Sequence, residues 1–512
     1  MTNQALSLLP ALCAIVLVLI TKETYLSLII GIMIGGLLYA SGNPVLAAKT
    51  IVFEENSGLI ANISSTTHIC IMVFVAVLGM IVMLIRESGG AAAFAAYVSK
   101  HIKTSTGAKL AAFLIGLLIF VDDGFNCLAV GTAMRPVTDR FRVSRAKLAY
   151  IIDSTAAPVC IIAPVSSWAA AVSYSLPQGS EINGFSLFLK TIPYNFYAFG
   201  TLLLVLVVIL SNRDLRPMKD CEAHPEINSD TDGQMPSESG RTGKPSDMIV
   251  PMLFLVAACI TAMFITGGGL DGASVKDAFA NTDGAKSLVA GGLVTLCFMF
   301  VYYIVRRTLT VHEFMECIPK GWAAFVAPMI ILILAWTLSG ITDLLGASSY
   351  IQTIMNMSAG FVKMLVPAIV FVLAAFLSFS TGTSWGTFSI MIPIVCSIFA
   401  PDAELLAITV SACLSGSVFG DHCSPISDTT IMSSAGAGVE HAVHVKTQLP
   451  YALLAAIAAA IGYIFAGIIG YYTDSRLALL GLPLTLLITV LSFYFMTGGR
   501  FVCHKTPHYS SL

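Results

Sequence analysis

Ser417-Val418-Phe419-Gly420-Asp421-His422-Cys423-Ser424-Pro425-Ile426-Ser427-Asp428-Thr429-Thr430 interrupts an apolar run. It carries acids, Gly, Pro and hydroxyls where a plain membrane span carries Leu. A helix broken at membrane depth bares backbone carbonyls and sets a half-helix N-terminus beside a bound ion. The stretch therefore predicts a discontinuous helix over about 402–436 with its break at Ser417–Asp428. Just upstream, residues 360–399 run in, break at Ser380-Thr381-Gly382-Thr383-Ser384-Trp385 and return. Arms of about half a bilayer each fit a re-entrant hairpin better than two spans.

The first half of the chain carries both devices again. A hairpin is expected over about 104–140, with its tip at Val121-Asp122-Asp123-Gly124-Phe125-Asn126, and a broken helix over about 145–175, with its break at Asp153-Ser154-Thr155-Ala156-Ala157-Pro158. A shift of about 256 residues lays Ser88-Gly89-Gly90-Ala91 near Leu344-Leu345-Gly346-Ala347, and Pro136 near Pro393. Similarity that is weak in letters and clear in pattern is how transporter repeats appear.

Composition agrees with a bilayer as the solvent. The chain has 512 residues, 56% hydrophobic and 11% charged, against about 25% charged in soluble proteins. That excludes a soluble enzyme and a disordered scaffold, and the net charge of −2 leaves no basic field for nucleic acid. The apolar runs reach helix-spanning length and do not alternate as a transmembrane barrel would. The twelve cysteines show no CxxC pair and read as free thiols. Met1 to Pro10 lacks a basic n-region, so the first helix is expected to be retained.

Loop charge relates the halves. Residues 86–147 hold Arg86, Lys100, Lys103, Lys109, Arg135, Arg140, Arg142, Arg145 and Lys147, whereas 341–404 holds Lys363 against Asp343, Asp402 and Glu404. The positive-inside rule puts the first window inside and the second outside. The expected fold is an all-α polytopic membrane protein of two inverted-topology repeats, five spans each. Repeat 1 is 1–210 and repeat 2 is 248–472; between them lies a polar cytoplasmic linker, 211–247, and after them an extra C-terminal helix and tail, 473–512. That gives eleven crossings, N-terminus outside and C-terminus cytoplasmic.

The candidate chemistry sits in the breaks and tips. Asp122, Asp123, Asp153, Asp421 and Asp428 are carboxylates at membrane depth, where one charge costs at least about 2.5–3.5 kcal/mol. They must be met by protons, cations or partners. Hard oxygens beside hydroxyls and amides, here Asn126, Ser154, Thr155, Thr383, Ser384, Ser427 and Thr429, suit an alkali cation. A buried carboxylate also suits reversible protonation. The expected cation and proton ligands are these residues, with Na⁺ at Asp153, Asp421, Asp428 and Thr383, and His422 as a candidate proton carrier. Plainer readings stand beside these. Asp139 and Asp402 read as solvated loop charges, one of Asp122 and Asp123 or Asp153 as helix caps, His422 as a structural hydrogen-bonding group, Trp168 and Trp385 as packing, and Lys109 as a snorkelling lysine.

Thr383-Ser384-Trp385-Gly386-Thr387-Phe388 together with Gly420 to Thr430 resembles the signature of the NhaC family of Na⁺/H⁺ antiporters. Ala146-Lys147-Leu148-Ala149-Tyr150-Ile151-Ile152-Asp153-Ser154-Thr155 is similar to that family's first-half motif. The likeness covers nearly the whole chain. It implies the ion transporter superfamily, with paired hairpins and broken helices in an elevator-like transport domain, a homodimer, and a bacterial inner membrane location. Some relatives exchange malate and lactate together with Na⁺ and H⁺. The expected activity is Na⁺/H⁺ exchange without a cofactor. The alternative is a Na⁺-coupled carrier of a small organic acid or amino acid on the same scaffold. No intramembrane Arg offers a bidentate clamp for a dianion. An intramembrane aspartyl protease would not need tips and breaks in duplicate, and a passive channel would not need titratable groups.

Overall fold

The computed structural model describes residues 6–21, 23–55, 57–90, 93–94, 97, 102–120, 122–176, 182–223, 243–272, 278, 282–347, 349–350, 353, 360–399, 404–425, 427–472 and 475–498. All secondary structure among these residues is helical. In chain order the helices are α1 (Leu9–Thr21), α2 (Thr24–Tyr39), α3 (Pro44–Phe53), α4 (Leu59–Ser64), α5 (Thr66–Glu87), α6 (Ser105–Leu118), α7 (Asp123–Arg140) and α8 (Arg145–Cys160). There follow α9 (Ser167–Tyr174), α10 (Gly184–Thr191), α11 (Phe196–Ser211), α12 (Met218–Ala223), α13 (Ser246–Thr266), α14 (Gly284–Val305), α15 (Val311–Ala324) and α16 (Val326–Leu344). The last are α17 (Gly360–Thr381), α18 (Ser384–Ile398), α19 (Glu404–Cys423), α20 (Asp428–Ala437), α21 (His441–Tyr472) and α22 (Gly481–Met496), with a single helical turn at Ser475–Ala478 between the last two.

By length and composition, seven helical stretches among the described residues can cross a bilayer, or nine if two bent pairs each count as one. The bent pairs are α2–α3, at 118°, and α10–α11, at 44°. The apolar helices α6, α18 and α22 are shorter. The fold is an all-helical membrane protein.

Helices sort by what surrounds them. Every residue of α8 is buried, Arg145 and Lys147 included, and nearly all of α19 is. Both carry Ser, Thr and Asp, and protein neighbours rather than lipid shield these polar groups. α8 packs on α6, α7, α11 and α20, while α19 packs on α17, α18 and α21. The apolar α1, α2, α5, α13, α14, α15 and α16 pack largely on one another and expose side chains such as Met33, Leu253 and Val301.

The breaks lie later in the chain than Pro and Asp suggested. α8 runs unbroken through Asp153 and ends at Cys160, so the interruption is Ile161–Ser166, not Asp153–Pro158. Thr155 Oγ1 donates back to Ile151 O at 2.8 Å, and a hydroxyl satisfied that way does not break a helix. Likewise α19 continues past Ser417 to Cys423 and the gap is Ser424–Ser427, where Pro425 has no N–H to continue the ladder. The second hairpin turns at Gly382-Thr383, with Gly382 at φ +67°, a left-handed value that favours Gly. Its arms are unequal. α17 has 22 residues, about 33 Å and a full bilayer, against 15 in α18, so equal half-length arms are not what this hairpin has.

Gly416 and Gly420, one turn apart on α19, let it touch α17 backbone to backbone. A Cβ on either would collide with the carbonyl of Phe371 or of Ala375. This is the small-xxx-small packing of membrane helices. Gly416→Leu is therefore expected to separate α17 from α19 and cost about 1–3 kcal/mol or more through overpacking. The check is thermal unfolding of purified protein, where a midpoint equal to wild type contradicts the packing argument.

Two lysine and aspartate expectations also change. Asp139 is not merely solvated, because its Oδ2 lies 3.3 Å from Arg145 Nη2. Lys109 does not snorkel to headgroups: it is buried and donates to Asn212 Oδ1 at 2.6 Å. The 211–247 linker is described at its ends, and α12 docks with Met218 buried. Residues 224–242, like Val121, Asp402, Ile426 and the tail 499–512, lie outside the described residues.

Candidate functional site

The site residues fall into three hydrogen-bonded groups. The central one is built on Asp153. Its side chain is 1% exposed, and its Oδ2 accepts from Gln448 Nε2 at 2.6 Å, Thr430 Oγ1 at 3.2 Å and His444 Nε2 at 3.2 Å. Among the described residues none donates to Asp153 Oδ1. Gln448 Nε2 also donates to His422 O, and Gln448 Oε1, buried, has no hydrogen-bond partner among the described residues. His444 Nδ1 is buried without one as well. His422 bridges helices, with Nδ1 2.7 Å from Tyr197 Oη and Nε2 3.1 Å from Ser154 Oγ. One carboxylate thus ties α8 to α20 and α21, and one imidazole ties α19 to α8 and α11.

The other two groups join a hairpin tip to a broken helix. In the first half, Ser167 Oγ donates to Asp122 Oδ2 at 3.3 Å and Trp168 Nε1 to Asp123 Oδ2 at 3.1 Å. In the second half, Asp421 Oδ2 accepts from Ser384 Oγ at 2.5 Å and Ser384 N at 3.3 Å. The carboxylate sits on the tip in one half and on the helix in the other. A carboxylate at the first turn of α18 also meets the positive end of that helix. Asn126 Nδ2 closes the first tip by donating to Gly116 O at 2.7 Å and Ile119 O at 2.8 Å, and its buried Oδ1 has no partner among the described residues.

The remaining expected ligands serve the backbone. Thr383 and Ser427 cap α18 and α20, accepting from Gly386 N and Thr430 N at 3.4 Å each, and Thr429 Oγ1 lies 3.1 Å from Ser427 Oγ. Thr155 bonds within α8. Asp428 begins α20, and its side chain lies outside what is described. Among the described residues no cluster of three or more His, Cys, Asp or Glu forms a metal site. Carboxylate and amide oxygens are the hard ligands an alkali cation takes.

His444, Gln448, Thr430 and Tyr197 were not among the expected site residues. The expected broken helix ends near 436 and the stretch after it is assigned no site, whereas α21 begins at His441. The signal was there: His444, Thr447, Gln448 and Tyr451 follow i, i+3, i+4, i+7, one helix face, and all four are buried. Trp168 packs against Phe388, with ring centroids 5.2 Å apart, but it is also a hydrogen-bond donor to Asp123.

Buried carboxylates held between broken helices in an all-helical membrane fold are the arrangement of a multi-pass secondary transporter. Residues 173–468, more than half of the chain, match the Na⁺/H⁺ antiporter family, and the protein belongs to it. An uncharacterised Haemophilus influenzae protein is 38% identical over 492 residues, covering 93% of each chain. A malate-2H⁺/Na⁺-lactate antiporter from Bacillus subtilis is 32% identical over 101 residues, 19% of this chain and 22% of its own. The solved Alcanivorax borkumensis YdaH transporter aligns at 13% identity over 90% of this chain and 91% of its own, with a TM-score of 0.48.

Proposed function

We propose that the protein exchanges Na⁺ for H⁺ across a bacterial inner membrane, with Asp153 as the carboxylate that takes either ion. The observation carrying this reading is the one-sided bonding of Asp153. Gln448, Thr430 and His444 all hold Oδ2, while among the described residues no hydrogen bond reaches Asp153 Oδ1 and Gln448 Oε1 has no partner. A dehydrated Na⁺ takes those oxygens as ligands. A proton on Asp153 removes the charge that attracts it, and competition for one carboxylate couples the two fluxes. Asp421 and the Asp122–Asp123 pair hold the hairpin tips to their broken helices, so that tips and site move together as α8, α19 and α20 shift against the lipid-facing helices. That is an elevator-like motion on inverted repeats. Loop charge supports an outside N-terminus, and the broken-helix motifs support the NhaC branch.

The second reading, a Na⁺-coupled organic acid exchanger, draws on the stretch of similarity to the malate–lactate antiporter. Proteoliposomes with an internal pH dye separate the two. The expected result is alkalinisation on an outside-acting NaCl pulse and none with KCl. Proton movement only when malate, lactate or an amino acid is supplied with Na⁺ would establish the second reading instead.

A further inference from the structure

Away from the carboxylates, an aromatic stack fastens the chain between α3 and α5 to α16. The His68 imidazole, in the first turn of α5, lies flat on the Trp336 indole of α16, with ring centroids 3.7 Å apart and planes 10° from parallel. Both side chains are buried. His68 Nδ1 is 2.9 Å from Asn62 O. A carbonyl only accepts, so in the neutral ring Nδ1 carries the proton and Nε2 is the basic nitrogen. Asn62, buried on α4, turns its own amide back to donate to Ser57 O at 3.1 Å and Gly58 O at 3.0 Å. One turn beyond Trp336, Gly340 has no room for a Cβ, because Ser57 lies against it. Residues 57–68 thus form a strap held on α16 at two points, a close contact at Gly340 and the ring stack at Trp336.

The surroundings supply no carboxylate for a charged ring. α4 and α9 carry no acid, Lys, Arg or His, and α16 carries only Asp343, seven residues past Trp336 and exposed. At the start of α14, Asp283 and Lys286 pair with each other at 2.9 Å. α15 meets α5 at Gly79 and Met80, about three turns away. Glu54 and Glu55 precede the strap and Cys70 follows His68 on α5; among the described residues none of these groups bonds to the His68 ring. An imidazolium over an indole gains a cation–π contact. A buried charge without a carboxylate loses more in hydration than that contact returns. We propose that the stack is an acid-operated release: a proton from water adds to His68 Nε2, the charged ring leaves Trp336, and the 57–68 strap comes away from that point of α16. The contact at Gly340 remains, so the strap swings open there rather than detaching, and water reaches the indole.

Acrylamide quenching of tryptophan fluorescence, on the full-length protein in detergent, reads the release without reading transport. The scan runs from about pH 8 to pH 5, the interval in which an imidazole changes charge. The expected result is an acid-induced step in which up to about a quarter of the emission becomes quenchable and shifts to the red, Trp336 being one of four tryptophans. The step is expected to vanish in His68→Gln, whose amide can still donate to Asn62 O but does not titrate, and in Trp336→Phe, which keeps a ring in place. Circular dichroism checks both folds, and Trp336→Phe decides alone if His68→Gln does not fold. No step in the wild type, or a step of equal size in either folded variant, overturns the proposal. Neither residue belongs to the Asp153 site, so Na⁺/H⁺ exchange can fail in liposomes without touching any of these outcomes.

Discussion

Asp153→Asn is expected to abolish Na⁺-driven proton movement in proteoliposomes while leaving the protein folded. The amide keeps the shape of the carboxyl group and an oxygen that can accept from Gln448, Thr430 and His444, so the ties between α8, α20 and α21 survive in part. It has no charge to attract Na⁺ and no proton to exchange. Losing a charged partner costs about 1.5–3 kcal/mol, which is roughly 10–100-fold in ion affinity. Coupling goes further and is lost outright, because the group that alternates between ions is gone. Stability should fall little, since removing a buried charge relieves desolvation. Purified variant with a wild-type thermal midpoint and no alkalinisation is the expected pair of results. Exchange within about twofold of wild type would show that another carboxylate carries the proton.

Lys147→Met should have the largest effect on stability. Lys147, 1% exposed, forms an ion pair with Asp214, whose Oδ1 also accepts from Tyr451 Oη at 2.8 Å. The ammonium sits 5.9 Å from the ring centroids of both Tyr150 and Tyr451. This pair binds the start of the linker to α8 and α21, and Glu222 adds a bond from the N-terminus of α8, accepting from Ser144 N at 2.8 Å. Breaking a buried pair from one side strands the other charge and costs about 3–5 kcal/mol. Asp214 is 10% exposed and reaches some water, which places the cost at the lower end, a fall in the midpoint of ~5 °C. Lys147→Met with Asp214→Leu removes both charges and is expected to recover most of that loss. A double variant no more stable than the single would mean that the pair is not what holds the linker down.

The sequence made the buried carboxylates legible because membrane-embedded charge is costly and therefore conspicuous. Asp153, Asp421, Asp122 and Asp123 are all buried, and each carries a hydrogen bond from another element. Their partners were much less legible. His444 and Gln448 sit in a polar stretch, His441 to Gln448, that composition alone reads as loop, and only a helix continued through it aligns them on one buried face. The break positions were misread for a related reason. Ser154 and Thr155 look like helix breakers when unbonded, but inside α8 one bonds to His422 and the other to its own backbone.

By itself, then, the chain's composition determined a helical membrane protein, and its acids at membrane depth determined which residues needed an explanation. Both follow from solvation, which acts residue by residue and so can be read in order along the chain. Only the tertiary structure decided that Asp153 bonds to α20 and α21. It also decided that Lys147 answers to the linker, and that His68 stacks on Trp336. Those pairings join residues far apart in sequence. They are fixed by how helices pack, through Gly416 and Gly420 against α17 among others, and packing is a property of surfaces that no single stretch contains.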